Sequence, residues 1–304
     1  MKRIAVILVL LASISCKKDK AYKPEDVRLI KAESMQNGNT YRTLISYNTD
    51  GKISQVSHQV NEDAPTTYFD VRYVNGEIQL IEPANNSINT ADTIRLYLGS
   101  NGQLVRRVRF SFFEIKPPVG FPQRTYTYDT TSFEYDASGF VTRETQHIQD
   151  STWSNNGSVQ TTVNYNDGVT NYTISNANLV TVENTTNSSF VGRTSTTTFS
   201  GTLGSSTSSL NSEYANAAPN NTDYSNAAIL NELNLFPIEP VNKNFAQLPT
   251  KKTSTSIQKD KNGVVTSSDS FTSNYAFTYT LLGLVASQFD PAHPESKLVY
   301  TYSY

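Results

Sequence analysis

One short unit constrains this chain more than anything else: an aromatic or apolar residue, a polar turn with glycine, then another apolar residue. Tyr41-Arg42-Thr43-Leu44-Ile45-Ser46-Tyr47 alternates as a strand, Asn48-Thr49-Asp50-Gly51 turns it, and Lys52-Ile53-Ser54-Gln55-Val56 returns. Glycine after an acid or amide suits a tight hairpin because it accepts positive φ without steric cost. The unit returns at Tyr73–Ile78, Leu98–Leu104, Tyr135–Val141, Tyr165–Val169, Asp260–Val265 and Tyr279–Val285. Period-two alternation between the turns predicts half-buried strands. The spacing is irregular, so it predicts a meander of hairpins and not a strict solenoid.

Sidedness supports this. Leu104, Arg106, Val108, Phe110 and Phe112 fall on one expected face, with Val105, Arg107, Arg109, Ser111 and Phe113 on the other. Leu298, Tyr300, Tyr302 and Tyr304 share a face of the last strand. The Thr/Ser/Asn-rich stretches 158–165 and 193–199 suit strands with little core, at an edge or wet on both faces. One segment departs from the pattern. Asp223 or Ser225 can cap a helix over Ala227–Phe236 that Pro237 stops, with Ile229, Leu233 and Phe236 on one stripe. The expected fold is therefore all-β: an antiparallel meander curled into a barrel-like sheet, with one short amphipathic helix packed on it.

The N-terminus carries the address. Met1-Lys2-Arg3 is followed by the uncharged run Ile4–Ala12 and by Ser13-Ile14-Ser15-Cys16. That is a charged region, a short apolar region and small residues before a cleavage point. A bilayer span needs about 20 apolar residues, more than this run supplies. The chain's single cysteine, Cys16, sits where a lipoprotein signal peptidase cuts. Lipidation there supplies enough buried methylenes for stable anchoring. The expected organisation is a signal peptide 1–15, a lipid-bearing Cys16 with a tether to residue 25, and one domain over 26–304.

These features together resemble lipoproteins of unknown function from the Bacteroides group of bacteria. Phe133-Glu134-Tyr135-Asp136-Ala137-Ser138-Gly139 is similar to the Tyr-Asp hairpin repeat of bacterial surface proteins. The resemblance implies an extracytoplasmic location on the outer membrane, with either face open. It implies no activity.

Little here points to catalysis. With no cysteine beyond Cys16, disulfides and thiolate chemistry are excluded from the folded part. Net charge is −2, so no global field draws in nucleic acid. The three histidines, His58, His147 and His293, lack metal-ligand spacing; Asp290, His293 and Glu295 form the one compact acid–imidazole group. No nucleophile elbow or phosphate loop occurs. No metal and no cofactor is expected. Arg106, Arg107 and Arg109 beside Phe110, Phe112 and Phe113 form the densest basic-aromatic patch; it reads first as a strand face paired with acidic neighbours across the sheet, and second as a combination that suits an anionic glycan. The repeated tyrosines are expected chiefly to pack cross-strand at hairpin ends, with a sugar platform as the alternative use of exposed ones. Phe121 tips the stiff loop Lys116–Pro122. The expected function is a lipid-anchored extracytoplasmic binding or scaffold module of the cell envelope, with Arg107, Arg109, Phe121 and His293 as binding candidates and, as partners, the membrane through Cys16 and a glycan or envelope protein. The alternative is a glycan hydrolase using two of Glu114, Asp129, Glu134, Asp136 and Glu144; a bare structural spacer is a third reading.

Overall fold

A computed structural model describes residues 28–83, 92–115, 122–155, 159–194, 196–214, 247–280 and 284–303. They form seventeen strands: β1 (Arg28–Gln36), β2 (Asn39–Tyr47), β3 (Ile53–Val60), β4 (Thr66–Val74), β5 (Glu77–Ile81), β6 (Thr93–Leu98), β7 (Leu104–Ile115), β8 (Gln123–Tyr135) and β9 (Val141–Asn155). There follow β10 (Val159–Ser175), β11 (Asn178–Arg193), β12 (Thr198–Glu213), β13 (Lys251–Asp260), β14 (Val265–Asn274), β15 (Ala276–Tyr279), β16 (Val285–Asp290) and β17 (His293–Ser303).

Successive strands pair antiparallel, and β17 returns to β1 through Ala32↔Tyr300 and its neighbours. Among the described residues only the β14–β15 junction interrupts the ladder. These two segments are separated by Tyr275; β14 pairs with β13 and β15 with β16. The sheet is thus an all-β, nearly closed barrel, as the hairpin pattern predicts. The expected helix over Ala227–Phe236 and the Cys16 segment lie outside the described residues.

Most of the glycine turns gather at one end, the base, where β1 begins and β17 ends. Asn75 and Gly76, with φ of 46° and 81°, make a two-residue turn whose twist matches the strands. In Asn48–Gly51 and Asp136–Gly139 the leading side chain also accepts backbone N–H groups inside the turn, at 2.9–3.0 Å. Two expectations fail here. Asn166-Asp167-Gly168 is not a turn but lies mid-strand in β10, where Gly168 pairs with Gln146 and Thr186. Ladders on both sides outweigh the local turn preference. The actual turn is Asn176-Ala177, both at positive φ, a conformation an alanine seldom adopts. The 193–199 stretch likewise does not form one strand; Thr194 and Thr197 close a turn between β11 and β12.

The apolar residue after each base turn points inward. Ile53, Ile78, Leu104, Leu179 and Val285 are all buried, and Phe69, Leu80, Leu96, Leu248, Tyr300 and Tyr302 fill the space between them. Each such large side chain contributes roughly 1.5–3 kcal/mol through burial. A tyrosine at the end of one strand repeatedly reaches the carbonyl of the apolar residue that starts the strand before it. Tyr47 donates to Leu29 at 2.7 Å, Tyr73 to Ile53 at 3.2 Å and Tyr302 to Val285 at 2.8 Å. Tyr135 and Tyr214 do the same to Leu104 and Leu179. The repeated tyrosines therefore clasp the base.

The wall is uneven. Strands β8 to β12 have 13–17 residues, whereas β3 to β6 have 5–9. At about 3.3 Å per residue the long strands exceed the short ones by roughly 13–40 Å of chain. The inner face of this tall section is polar. Asn184 bonds Thr170 at 2.8 Å, Ser188 bonds Asn166 at 2.6 Å and Thr127 bonds Asp150 at 2.6 Å.

Candidate functional site: an aromatic and arginine groove on the outer wall

Register on β7 decides what its arginines do. Leu98 pairs with Leu104 but Leu96 pairs with Arg107, with a bulge between. The bulge adds one residue and reverses the side-chain parity above it. Leu104 therefore shares its face with Arg107 and Arg109, not with Arg106 and Val108 as simple alternation suggests. The expected patch is split across the wall.

Arg107 and Arg109 point inward, to acids. Arg107 lies 3.5 Å from Asp129, which also accepts from Gln146 at 3.2 Å. Arg109 lies 3.2 Å from Asp92 and 3.9 Å from Glu82. Burial raises the Glu82 carboxyl above its ordinary range; Asp92 adds to this and Arg109 opposes it. Both arginines are thus paired to acids of the inner wall, with the Arg107 side chain 20% and that of Arg109 38% exposed.

Arg106 turns outward. Its guanidinium sits 4.5 Å from the ring centroid of Tyr97 on β6, and no acidic side chain among the described residues pairs with it. Around it, Thr93, Arg95 and Tyr97 of β6, Arg106, Val108 and Phe110 of β7, and Tyr128 of β8 line a groove of about 380 Å³. Cross-strand pairing sets this lining: Tyr97 faces Arg106, Arg95 faces Val108, and Thr93, Phe110 and Tyr128 form one rung. Val108 is buried at the floor, while Phe110 and Tyr128 stay 48% and 44% exposed. Arg95 leans on Glu77 at 3.7 Å.

The aromatic surface continues up the wall. Phe112 and Tyr126 have centroids 4.8 Å apart, and Arg124 lies 5.4 Å from the Trp153 ring while held by Glu114 at 2.8 Å. Hydrogen bonding to Glu114 raises the Arg124 guanidinium further above its ordinary value, fixing it as a cation.

The other candidates fall elsewhere. His293 opens β17 at a hairpin tip, 68% exposed, with Nδ1 3.3 Å from Glu295. Asp290 caps the same tip by accepting from Ala292 at 2.9 Å. Phe121 lies outside the described residues. Of the proposed acids, Glu114 and Asp129 hold arginines, Glu134 lies 3.8 Å from Arg143, Asp136 closes a turn and Glu144 accepts from Tyr172 at 2.7 Å. Among the described residues the groove lining contains no carboxylate. Sequence reasoning passed over Arg95, Tyr97 and Tyr128. Their one signal was alternation, Thr93-x-Arg95-x-Tyr97 and Tyr126-x-Tyr128.

No family model matches this chain, and no curated protein matches it. Two solved structures are similar to it, each described as a porin-like protein. One, from Bacteroides vulgatus, is 11% identical with a TM-score of 0.46 and covers 90% of this chain and 98% of its own. The other, from Bacteroides uniformis, is 12% identical with a TM-score of 0.45 and covers 92% and 98%.

Proposed function

We propose that this chain is a lipid-anchored, extracytoplasmic binding module of the cell envelope that recognises an acidic glycan through the groove on β6, β7 and β8. The observation that carries the reading is the groove's composition. Exposed aromatic faces stack on sugar rings, and Arg106, with no acid paired to it among the described residues, offers a planar fork to a carboxylate or sulfate. The volume falls within the range of small-ligand sites. A hydrolase reading has less support, because it requires two carboxylates across a cleft and the described residues lining the groove supply none.

The charges on the outer wall weigh against its spanning a bilayer. Arg72, Arg95, Arg106 and Arg143 all stand exposed on it. Each would cost about 2–4 kcal/mol at a bilayer midplane. Anchoring through Cys16 leaves that wall in water.

Isothermal titration with uronic-acid and neutral oligosaccharides tests the reading. Acidic oligomers should bind more tightly than neutral ones, with affinity falling as salt rises. Arg106→Ala and Tyr128→Ala should each weaken binding about tenfold while leaving the thermal midpoint unchanged, since both side chains are exposed. Binding that survives both substitutions, or no binding to any acidic glycan, refutes the site. For the anchor, palmitate labelling should vanish in Cys16→Ala; equal labelling refutes it.

A further inference from the structure

The groove on β6, β7 and β8 is the lower part of a longer surface. Above its rung of Thr93, Phe110 and Tyr128, register adds two more outward rungs. Phe112 stands opposite Tyr126, then Glu114 opposite Arg124 and Arg124 opposite Trp153 of β9. Each rung lies two residues above the last, about 6.8 Å along the strand. From Arg106 to Glu114 there are four such steps, so Trp153 stands roughly 27 Å above Arg106. Aromatic cover is continuous between them. Phe110 lies 6.4 Å and Phe112 4.8 Å from Tyr126, centroid to centroid, and Phe110, Tyr126 and Tyr128 are all exposed.

The two ends differ in charge. At the lower end Arg106 stacks on Tyr97 with no acid paired to it among the described residues, and the half-exposed Arg95 stands one rung higher. At the upper end the Arg124 guanidinium is already engaged, by Glu114 at 2.8 Å and by the Trp153 ring at 5.4 Å. An anion is therefore drawn to the lower end, while the upper end offers an indole beside an ion pair that is neutral as a whole.

We propose that the ligand of this wall is an extended oligosaccharide lying along the strands, with one carboxylate- or sulfate-bearing residue at Arg106 and neutral sugar residues stacked from Phe110 up to Trp153. The inference rests on the glycan-binding reading above and adds length, direction and charge placement to it. Charge complementarity sets the direction, because an anion at the upper end would compete with Glu114 for Arg124. The mixture of side chains sets the class. Sugars present apolar ring faces and hydroxyl edges together, and the wall answers with aromatic faces interleaved with Thr130 and the Glu114–Arg124 pair. An acyl chain or an apolar protein face would instead strip water from that ion pair, at a desolvation cost that nothing on an apolar surface repays.

The test titrates the detergent-solubilised full chain with a disaccharide and a hexasaccharide that each carry a single uronic acid, prepared at either terminus, the tighter pair being carried forward. The hexasaccharide should bind about tenfold more tightly than the disaccharide. Trp153→Ala should remove that gain and leave disaccharide binding unchanged, which also shows that the variant is folded. Trp153→Leu, which keeps apolar bulk without a flat ring, should show the same loss. Arg106→Ala should weaken both lengths. A hexasaccharide no tighter than the disaccharide, or one held as tightly by both Trp153 variants as by wild type, overturns the extended site while the groove reading stands. Failure of both lengths to bind overturns the groove reading and this inference with it. A Cys16→Ala chain that floats with phosphatidylcholine vesicles, and ceases to do so when Trp153→Ala is added, overturns the sugar chain in favour of a membrane seated on the wall.

Discussion

Two tyrosines at the same end of the barrel should respond oppositely to loss of a single oxygen. Tyr302 is 9% exposed and donates to the carbonyl of the fully buried Val285 at 2.8 Å. Tyr279 packs against the same core, but its hydroxyl is buried without a hydrogen-bond partner among the described residues. Changing either to Phe keeps the ring, so the apolar transfer term cancels and only the hydroxyl is tested. Tyr302→Phe strips a buried carbonyl of its donor, which costs about 1–3 kcal/mol. At about 2 °C per kcal/mol for a chain of this size, the thermal midpoint should fall by roughly 2–6 °C. Tyr279→Phe removes a polar group whose burial is uncompensated, a penalty of about 1–3 kcal/mol in proteins. It should be neutral or stabilising. Guanidinium unfolding followed by circular dichroism, with an unchanged slope, gives both values. If Tyr279→Phe destabilises as much as Tyr302→Phe, the clasp account of the base is wrong.

Asp129→Leu should cost about 3 kcal/mol, because it removes a buried carboxylate from both Arg107 and Gln146; Arg107→Met with Asp129→Leu should recover much of it, and a double variant no better than the single would contradict this. Burial pushes the Tyr73 and Tyr214 phenols up to about 12. The unfolded chain ionises first, near pH 10, so their contribution is intact below pH 10 and is lost as pH rises toward 12. Denaturant midpoints measured from pH 9 to 12 should fall, and less steeply in Tyr73→Phe; equal slopes would show that Tyr73 does not titrate as proposed.

How far the site was legible depends on what a single strand can report. Alternation named the two faces of β7 correctly above the bulge, but it could not say that Leu104 belongs with Arg107, because a bulge is a property of two paired strands. The groove was half visible for the same reason: Arg106 and Phe110 stood out locally, whereas Tyr97 and Tyr128 joined them only through register. Gly168 misled for a related reason, since a turn signal of three residues competes with ladders on both flanks.

The chain's own chemistry determined that it would be antiparallel β with tyrosine-flanked turns, since period-two alternation and positive-φ glycine are local demands met within a few residues. Tertiary structure alone decided that β17 closes onto β1, that Arg107 and Arg106 part company across the wall, and that β14 pairs only with β13 among the described residues. Those outcomes depend on pairing between distant residues, where hydrogen-bond ladders and burial act on many strands at once and no short window of sequence can register them.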